Sequence, residues 1–216
     1  MMKGLLKKDW LHIRTSFIAM LPYFLFMIVM SAVSSYSRGK IAFIAVPGMA
    51  MFQSILPVVL MMDDVRTGYI RTAMTLPVSR REMVAEKYLL TLINSAVSGA
   101  LFAAVTCAAA LLGNNSAAQP LAGGILIAAS CAISAAFIMP VVYIVSTEKI
   151  KLIFILAYVF FGGLYGAAGG VAAAFGYDLE NMVISVGTSA VILAAALLLA
   201  AVSCLISQRI FKKRDI

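Results

Sequence analysis

Six stretches of this 216-residue chain contain no Asp, Glu, Lys, Arg or His: 16–36, 41–62, 88–112, 121–145, 152–175 and 182–207. They are 21, 22, 25, 25, 24 and 26 residues long. A helix needs about 20 apolar residues to cross a hydrocarbon core of ~30 Å, so each run is long enough to span a bilayer. The runs are unbroken, whereas a membrane β-barrel would show segments of about ten residues with alternating polarity. They predict an all-α integral membrane protein with six transmembrane helices in a single transmembrane domain, 1–216. The composition agrees: 63% of residues are hydrophobic and 12% charged, with a mean hydropathy of +1.02. A water-soluble fold has no interior large enough for that apolar load, which excludes a soluble enzyme or binding module.

Net charge is +8, from 17 Lys and Arg against 9 Asp and Glu. In a soluble domain that excess would suggest nucleic acid; here its distribution points to membrane topology. Fifteen of the 17 basic residues lie before span 1, between spans 2 and 3, after span 4 or in the tail. Only Arg38 and Lys40 fall on the alternate side. Basic flanks stay in the cytoplasm, so both termini are expected there, with the chain a multi-pass protein of the plasma membrane and no nucleic-acid partner. The basic leader and first run are both long for a cleaved signal peptide. Cys107, Cys131 and Cys204 lie in apolar runs without C-x-x-C spacing and read as small buried hydrophobes. Asn114-Asn115-Ser116 fits a glycosylation acceptor and equally supplies turn residues on the outer face.

What the spans lack narrows the chemistry. With no ionisable group inside a span, nothing there can bind a coupling ion or relay a proton. No nucleophile lies beside a base, no His or carboxylate set suits a metal, and no G-x-x-x-x-G-K-[ST] loop cradles a phosphate. The chain is therefore expected not to be an enzyme by itself, and any uphill work must be powered by a partner. Gln53, Asn94 and Thr106 read as interhelical hydrogen-bond partners. Gly162, Gly166 and Gly170 share one face of span 5 and read as a helix-packing surface. Pro22, Pro47, Pro57 and Pro140 mark candidate kinks.

The segment 63–87 carries the most local pattern. Asp63 or Asp64 can cap a short helix at its start. Val65, Tyr69, Ala73 and Leu76 fall at i, i+4, i+8 and i+11, an apolar stripe with Arg66, Thr67 and Arg71 off it. Pro77 breaks this helix. Ser79 and Glu82 form an S-x-x-E capping box that starts the next helix, continuous with span 3. A short helix near the membrane plane, a turn and a transmembrane helix make a lever suited to force transfer from a soluble partner.

Leu76-Pro77-Val78-Ser79-Arg80, followed by Val84 and Lys87-Tyr88 and preceded by Asp63-Asp64 at the end of span 2, resembles the signature of small ABC-2-type transporter permeases. It resembles in particular the bacterial group containing phenol-soluble-modulin exporter and antimicrobial-peptide immunity permeases. The resemblance implies a permease in a bacterial cytoplasmic membrane that pairs with a second permease subunit, as a homo- or heterodimer, and docks two separate ABC ATPase subunits. ATP and Mg would be held by those subunits, with no cofactor on this chain. The coupling helix between spans 2 and 3 would then involve Asp63, Asp64, Arg66, Thr67, Arg71, Pro77, Ser79, Arg80, Arg81 and Glu82, with a second contact at Glu148 and Lys149. The resemblance also implies an N-terminal interfacial helix. Leu6, Trp10, Ile13 and Phe17 sit on one face with Lys7 and Arg14 off it, so Lys7, Trp10 and Arg14 would anchor it at the lipid headgroups. The expected function is ATP-driven export of an amphipathic or hydrophobic substrate (peptide, lipid or antimicrobial). The alternative is a non-transporting membrane factor that confers immunity or binds a sensor.

Overall fold

The computed structural model describes residues 21–40, 79–144 and 185–213, together with the single positions 46, 48, 49, 59, 64, 67, 155, 159, 163 and 167. These residues form four helices and no strand: α1 (21–38), α2 (Arg80–Leu112), α3 (Ala118–Ile144) and α4 (Val186–Lys213). Helices α2, α3 and α4 are long and apolar enough to cross a membrane. They correspond to the expected spans 3, 4 and 6. Spans 2 and 5, the N-terminal interfacial helix and the orientation of the termini lie outside the described residues, apart from the single positions above.

Helix α2 starts eight residues before its charge-free run because Ser79 caps it there. The Ser79 hydroxyl accepts from the Glu82 backbone N–H at 3.2 Å, and the Ser79 N–H donates to the Glu82 carboxylate at 2.9 Å. Two groups that a helix start leaves unsatisfied are thus paired locally. Its 33 residues make a rod of about 50 Å, well beyond the ~30 Å of hydrocarbon, so the first two turns stand clear of the apolar layer.

The faces of α2 are sorted in the reverse of a soluble helix. Its buried side follows Val84, Tyr88, Thr91, Ser95, Ser98, Phe102 and Thr106, at three- and four-residue steps. Its exposed ridge is Leu89, Ile93, Val97, Leu101 and Val105, four residues apart. Helix α4 does the same, with Ser189, Ala196, Ala200, Ser203 and Ser207 inside and Val191, Leu198, Val202 and Leu205 outside. Hydroxyls and small side chains inward with branched hydrocarbon outward is the arrangement a lipid solvent selects.

Helix α3 lies between α2 and α4 and packs against both. The α2–α3 approach is set by glycine. A Cβ on Gly99 would lie 2.6 Å from the Gly124 carbonyl oxygen, and one on Gly124 would lie 2.5 Å from the Ala103 Cβ. Gly99 and Ala103 on α2, and Gly124 and Ala128 on α3, form two facing small-x-x-x-small pairs. The contact brings Ser95 close enough to donate to the Ala128 carbonyl at 2.7 Å. Thr106, expected to bond between helices, instead donates back to its own helix at the Phe102 carbonyl, 2.7 Å away.

At the far end of α2, the Asn114–Asn115–Ser116 residues turn the chain into α3, with Asn114 at φ 56°. The Asn115 side chain also donates to the Tyr36 carbonyl at 2.8 Å, satisfying a group that the end of α1 leaves open. Gly39, at φ 67°, closes α1 by donating from its N–H to the Ser35 carbonyl at 2.9 Å. Phe24, Met27 and Ile28 of α1 pack with Met49, Phe102, Ile127 and Cys131 in one buried cluster.

The glycine crossing sets an expectation. Gly99→Ala should lower the thermal stability of the purified protein by about 1–3 kcal/mol, because its methyl meets backbone that cannot rotate away. Gly163→Ala should not lower it, since a Cβ there meets nothing within 4 Å. Equal melting temperatures for the two variants would contradict the crossing.

Candidate functional site

The ends of α2, α3 and α4 near Arg80 carry a concentration of buried polar groups. Lys87 is one residue before the charge-free run and was counted among the cytoplasmic cations between spans 2 and 3. It is instead inside the protein, 5% exposed. Its ammonium lies 2.6 Å from a carboxylate oxygen of Asp64, which is itself 4% exposed. Asp64 is helical and buried, and this pair is the contact it makes; Asp63, the other residue expected to be able to cap the helix, lies outside the described residues. Glu86, 2% exposed, is buried beside Lys87. Ionic groups taken out of water stay charged only when paired, so this contact holds position 64 against α2 tightly.

At Tyr88, the residue after Lys87, a chain of hydroxyls joins all three helices, and its origin is Pro140. Proline has no N–H, so the Ala136 carbonyl four residues earlier loses its helical partner. The Ser203 hydroxyl of α4 donates to that carbonyl at 2.5 Å. Tyr88 lies 2.7 Å from Ser203 and 2.9 Å from Ser207. Each hydroxyl has one hydrogen, which fixes the order. Ser203 gives its hydrogen to Ala136, so Tyr88 donates to Ser203 and Ser207 donates to Tyr88. Burial of Ser203, Ser207 and Tyr88 makes every one of these bonds matter.

At the surface of the same end, Arg80 is directed into the bundle. One guanidinium nitrogen lies 3.3 Å from the Phe211 carbonyl and 3.4 Å from that of Lys212. A cation there caps the final carbonyls of α4 and suits the negative end of its dipole. The Arg80 guanidinium carbon also lies 6.0 Å from the Phe211 ring centroid, and that ring tilts against Tyr143 at 5.4 Å. Arg81 is exposed on the outside of α2. Glu82 is exposed too, and bonds from the Ser79 backbone N–H, then the Ser79 hydroxyl, hold its carboxyl below the ordinary range. The capping box is therefore complete at neutral pH and is lost only as pH falls through that lowered value.

The structure thus gathers Asp64, Ser79, Arg80, Arg81 and Glu82 at one end of the bundle, with Thr67 in an exposed turn. Asp63, Arg66, Arg71, Pro77, Glu148, Lys149, Lys7, Trp10, Arg14, Gly162, Gly166 and Gly170 lie outside the described residues. Sequence reasoning did not single out Glu86, Tyr143, Ser203, Ser207 or Phe211. It reached Lys87 and Tyr88 only through the motif they close. Among the described residues no group of three His, Cys, Asp or Glu is placed to hold a metal. What this arrangement offers is mechanical: links from position 64 and from the start of α2 to α3 and α4.

The proline–serine link can be separated from general packing. Ser203→Ala should strand the Ala136 carbonyl and cost about 1–3 kcal/mol. Tyr88→Phe should cost less, within the ~0.6–1.7 kcal/mol typical of interhelical hydrogen bonds. In a Pro140→Ala background the helix regains its N–H, and most of the Ser203→Ala cost should vanish from the melting curve. An undiminished cost in that background would rule out the assigned donor.

Residues 4–212 match the model of a family described as "ABC-2 family transporter protein". No curated protein and no solved structure matches the chain. The family match takes in α1, α2, α3 and nearly all of α4, and it includes every residue of the polar end just described. A match over nearly the whole chain, on helices sorted for lipid, makes this protein a member of the ABC-2 transporter family and a membrane permease component of an ABC transporter.

Proposed function

We propose that this permease exports an amphipathic or hydrophobic substrate (a peptide, a lipid or an antimicrobial), using ATP hydrolysed on a separate ABC ATPase subunit. Partnership with such a subunit is what the family implies. In this reading the basic end of the bundle faces the cytoplasm of a bacterial cell, and a second permease subunit completes the pathway. ATP and Mg stay on the ATPase. The segment 63–81 receives its movement, with Arg66 and Arg71 on the docking side and Glu148 and Lys149 as a second contact.

The observation that carries the reading is the buried pair between Asp64 and Lys87. A docking loop joined to its bundle only by flexible chain would absorb a push. One held by a desolvated ion pair transmits it to α2, and Arg80 extends the connection to the end of α4. From α2 the hydroxyl chain reaches α3 and α4. The dry, uncharged interior of the spans suits a substrate that partitions from the inner leaflet. Met and Phe, 13 and 12 in number, supply adaptable apolar contacts.

The test is resistance of cells to a membrane-active peptide, with the permease co-expressed alongside its ATPase in wild-type or hydrolysis-dead form. Resistance should disappear with the dead ATPase and survive collapse of the proton gradient while ATP is maintained. Full resistance with the dead ATPase would make the chain a binding or immunity factor and end the pump reading.

A further inference from the structure

A cleft of about 210 Å³ opens between the first turn of α2 and the last two turns of α4, lined by Arg81, Leu205, Gln208, Arg209 and Lys212. Its lining carries three cations and no carboxylate. Arg81, Arg209 and Lys212 are all exposed, and none pairs with a carboxylate among the described residues. Gln208 adds an amide at the rim, its nitrogen donating weakly to the Cys204 sulfur at 3.5 Å. Cations crowded this way repel one another, so an anion entering the cleft relieves a cost as well as gaining three partners. Two guanidinium forks and an ammonium around a small volume match the oxygens of a phosphate group.

The remaining lining residue says what kind of phosphate. Leu205 is 60% exposed and stands one helical turn from Arg209. Val202 and Leu198 continue its face along α4 toward the middle of the membrane, 57% and 71% exposed. Hydrocarbon therefore runs directly from the cationic cleft along α4. A soluble protein could cover the cations but could not follow the stripe into the hydrocarbon. A molecule with an anionic phosphate head and acyl chains fits both parts.

We propose that this cleft is a binding site for the headgroup of an anionic phospholipid, with Arg81, Arg209 and Lys212 holding the phosphate and Leu205 the start of an acyl chain. The proposal needs only that α2 and α4 span a bilayer; it stands apart from what the permease transports. A lipid bound there bridges α2 to α4 beside the Arg80 link, and so would stiffen the end of the bundle.

The test uses the purified full-length chain in nanodiscs of phosphatidylcholine, titrated with phosphatidylglycerol bearing identical acyl chains and read as bound lipid by native mass spectrometry. Wild-type protein should take up phosphatidylglycerol in preference to phosphatidylcholine. The Arg81→Gln/Arg209→Gln/Lys212→Gln variant should lose on the order of a hundredfold in apparent affinity, three membrane-surface cations having been removed. Neutralising Lys3, Lys8 and Lys151 to Gln should leave the affinity unchanged and thereby exclude a general charge effect. The conservative Arg209→Lys variant, which keeps the charge, should retain most of the affinity. Equal uptake of the two lipids, or an unchanged affinity in the triple Gln variant, would overturn the proposal. Displacement of phosphatidylglycerol by millimolar inorganic phosphate would assign the cleft to free phosphate instead. Loss of ATPase co-purification in the triple Gln variant with lipid affinity intact would assign it to the ATPase.

Discussion

In a bilayer no hydrophobic force draws one apolar helix to another, because lipid tails are as apolar as leucine. Cohesion must come from close backbone approach and from polar groups that have nowhere else to go. Both operate here. Gly99 and Gly124 let α2 and α3 touch through their backbones. Ser95, Tyr88 and Ser203 then reach carbonyls and hydroxyls on neighbouring helices. The exposed apolar ridges of α2 and α4, meanwhile, contribute solubility in lipid more than internal cohesion.

The same principle sharpens toward the Arg80 end, where the groups are ionic. Removing one member of a desolvated pair leaves a charge with no water and costs about 3–5 kcal/mol, far more than an exposed surface pair contributes. The Asp64–Lys87 contact is of the desolvated kind. It joins position 64, just past the second apolar run, to the root of a helix about 50 Å long. Arg80 binds that root to the last carbonyls of α4, and the hydroxyl chain binds it to α3. An end built this way is tied to α2, α3 and α4 at once, which is what the proposed coupling to an ATPase requires.

Features with local causes were legible in the sequence, and features with distant partners were not. The capping box is written in residues three apart, and Ser79 and Glu82 form it as expected. The charge-free runs mark α2, α3 and α4, though not their full length, since a helix continues past the hydrocarbon until a cap stops it. Lys87 read as one more cytoplasmic cation between spans because its neutralising partner lies elsewhere in the chain. Pro140 was visible as a possible kink, while the serine that satisfies its orphaned carbonyl sits on another helix. Glycine packing was sought in span 5, where glycines cluster; the crossing the structure describes uses the lone Gly99 and Gly124 of the Gly123-Gly124 pair. Their signal was present, as a small residue four positions on from each in two consecutive spans, but it is faint beside a run of five glycines.

Everything said of force transfer depends on Asp64 and Lys87 acting as one unit that fixes the segment after span 2 to the base of α2. A double-mutant cycle on the thermal stability of the full chain probes that dependence, using Asp64→Asn, Lys87→Met and the combination. Each single change should cost about 3–5 kcal/mol by leaving its partner's charge buried. The double variant should then fall well short of the sum, because neither charge remains. Costs that simply add, to within about 0.5 kcal/mol, would show that the two residues do not interact and that nothing ionic ties position 64 to α2.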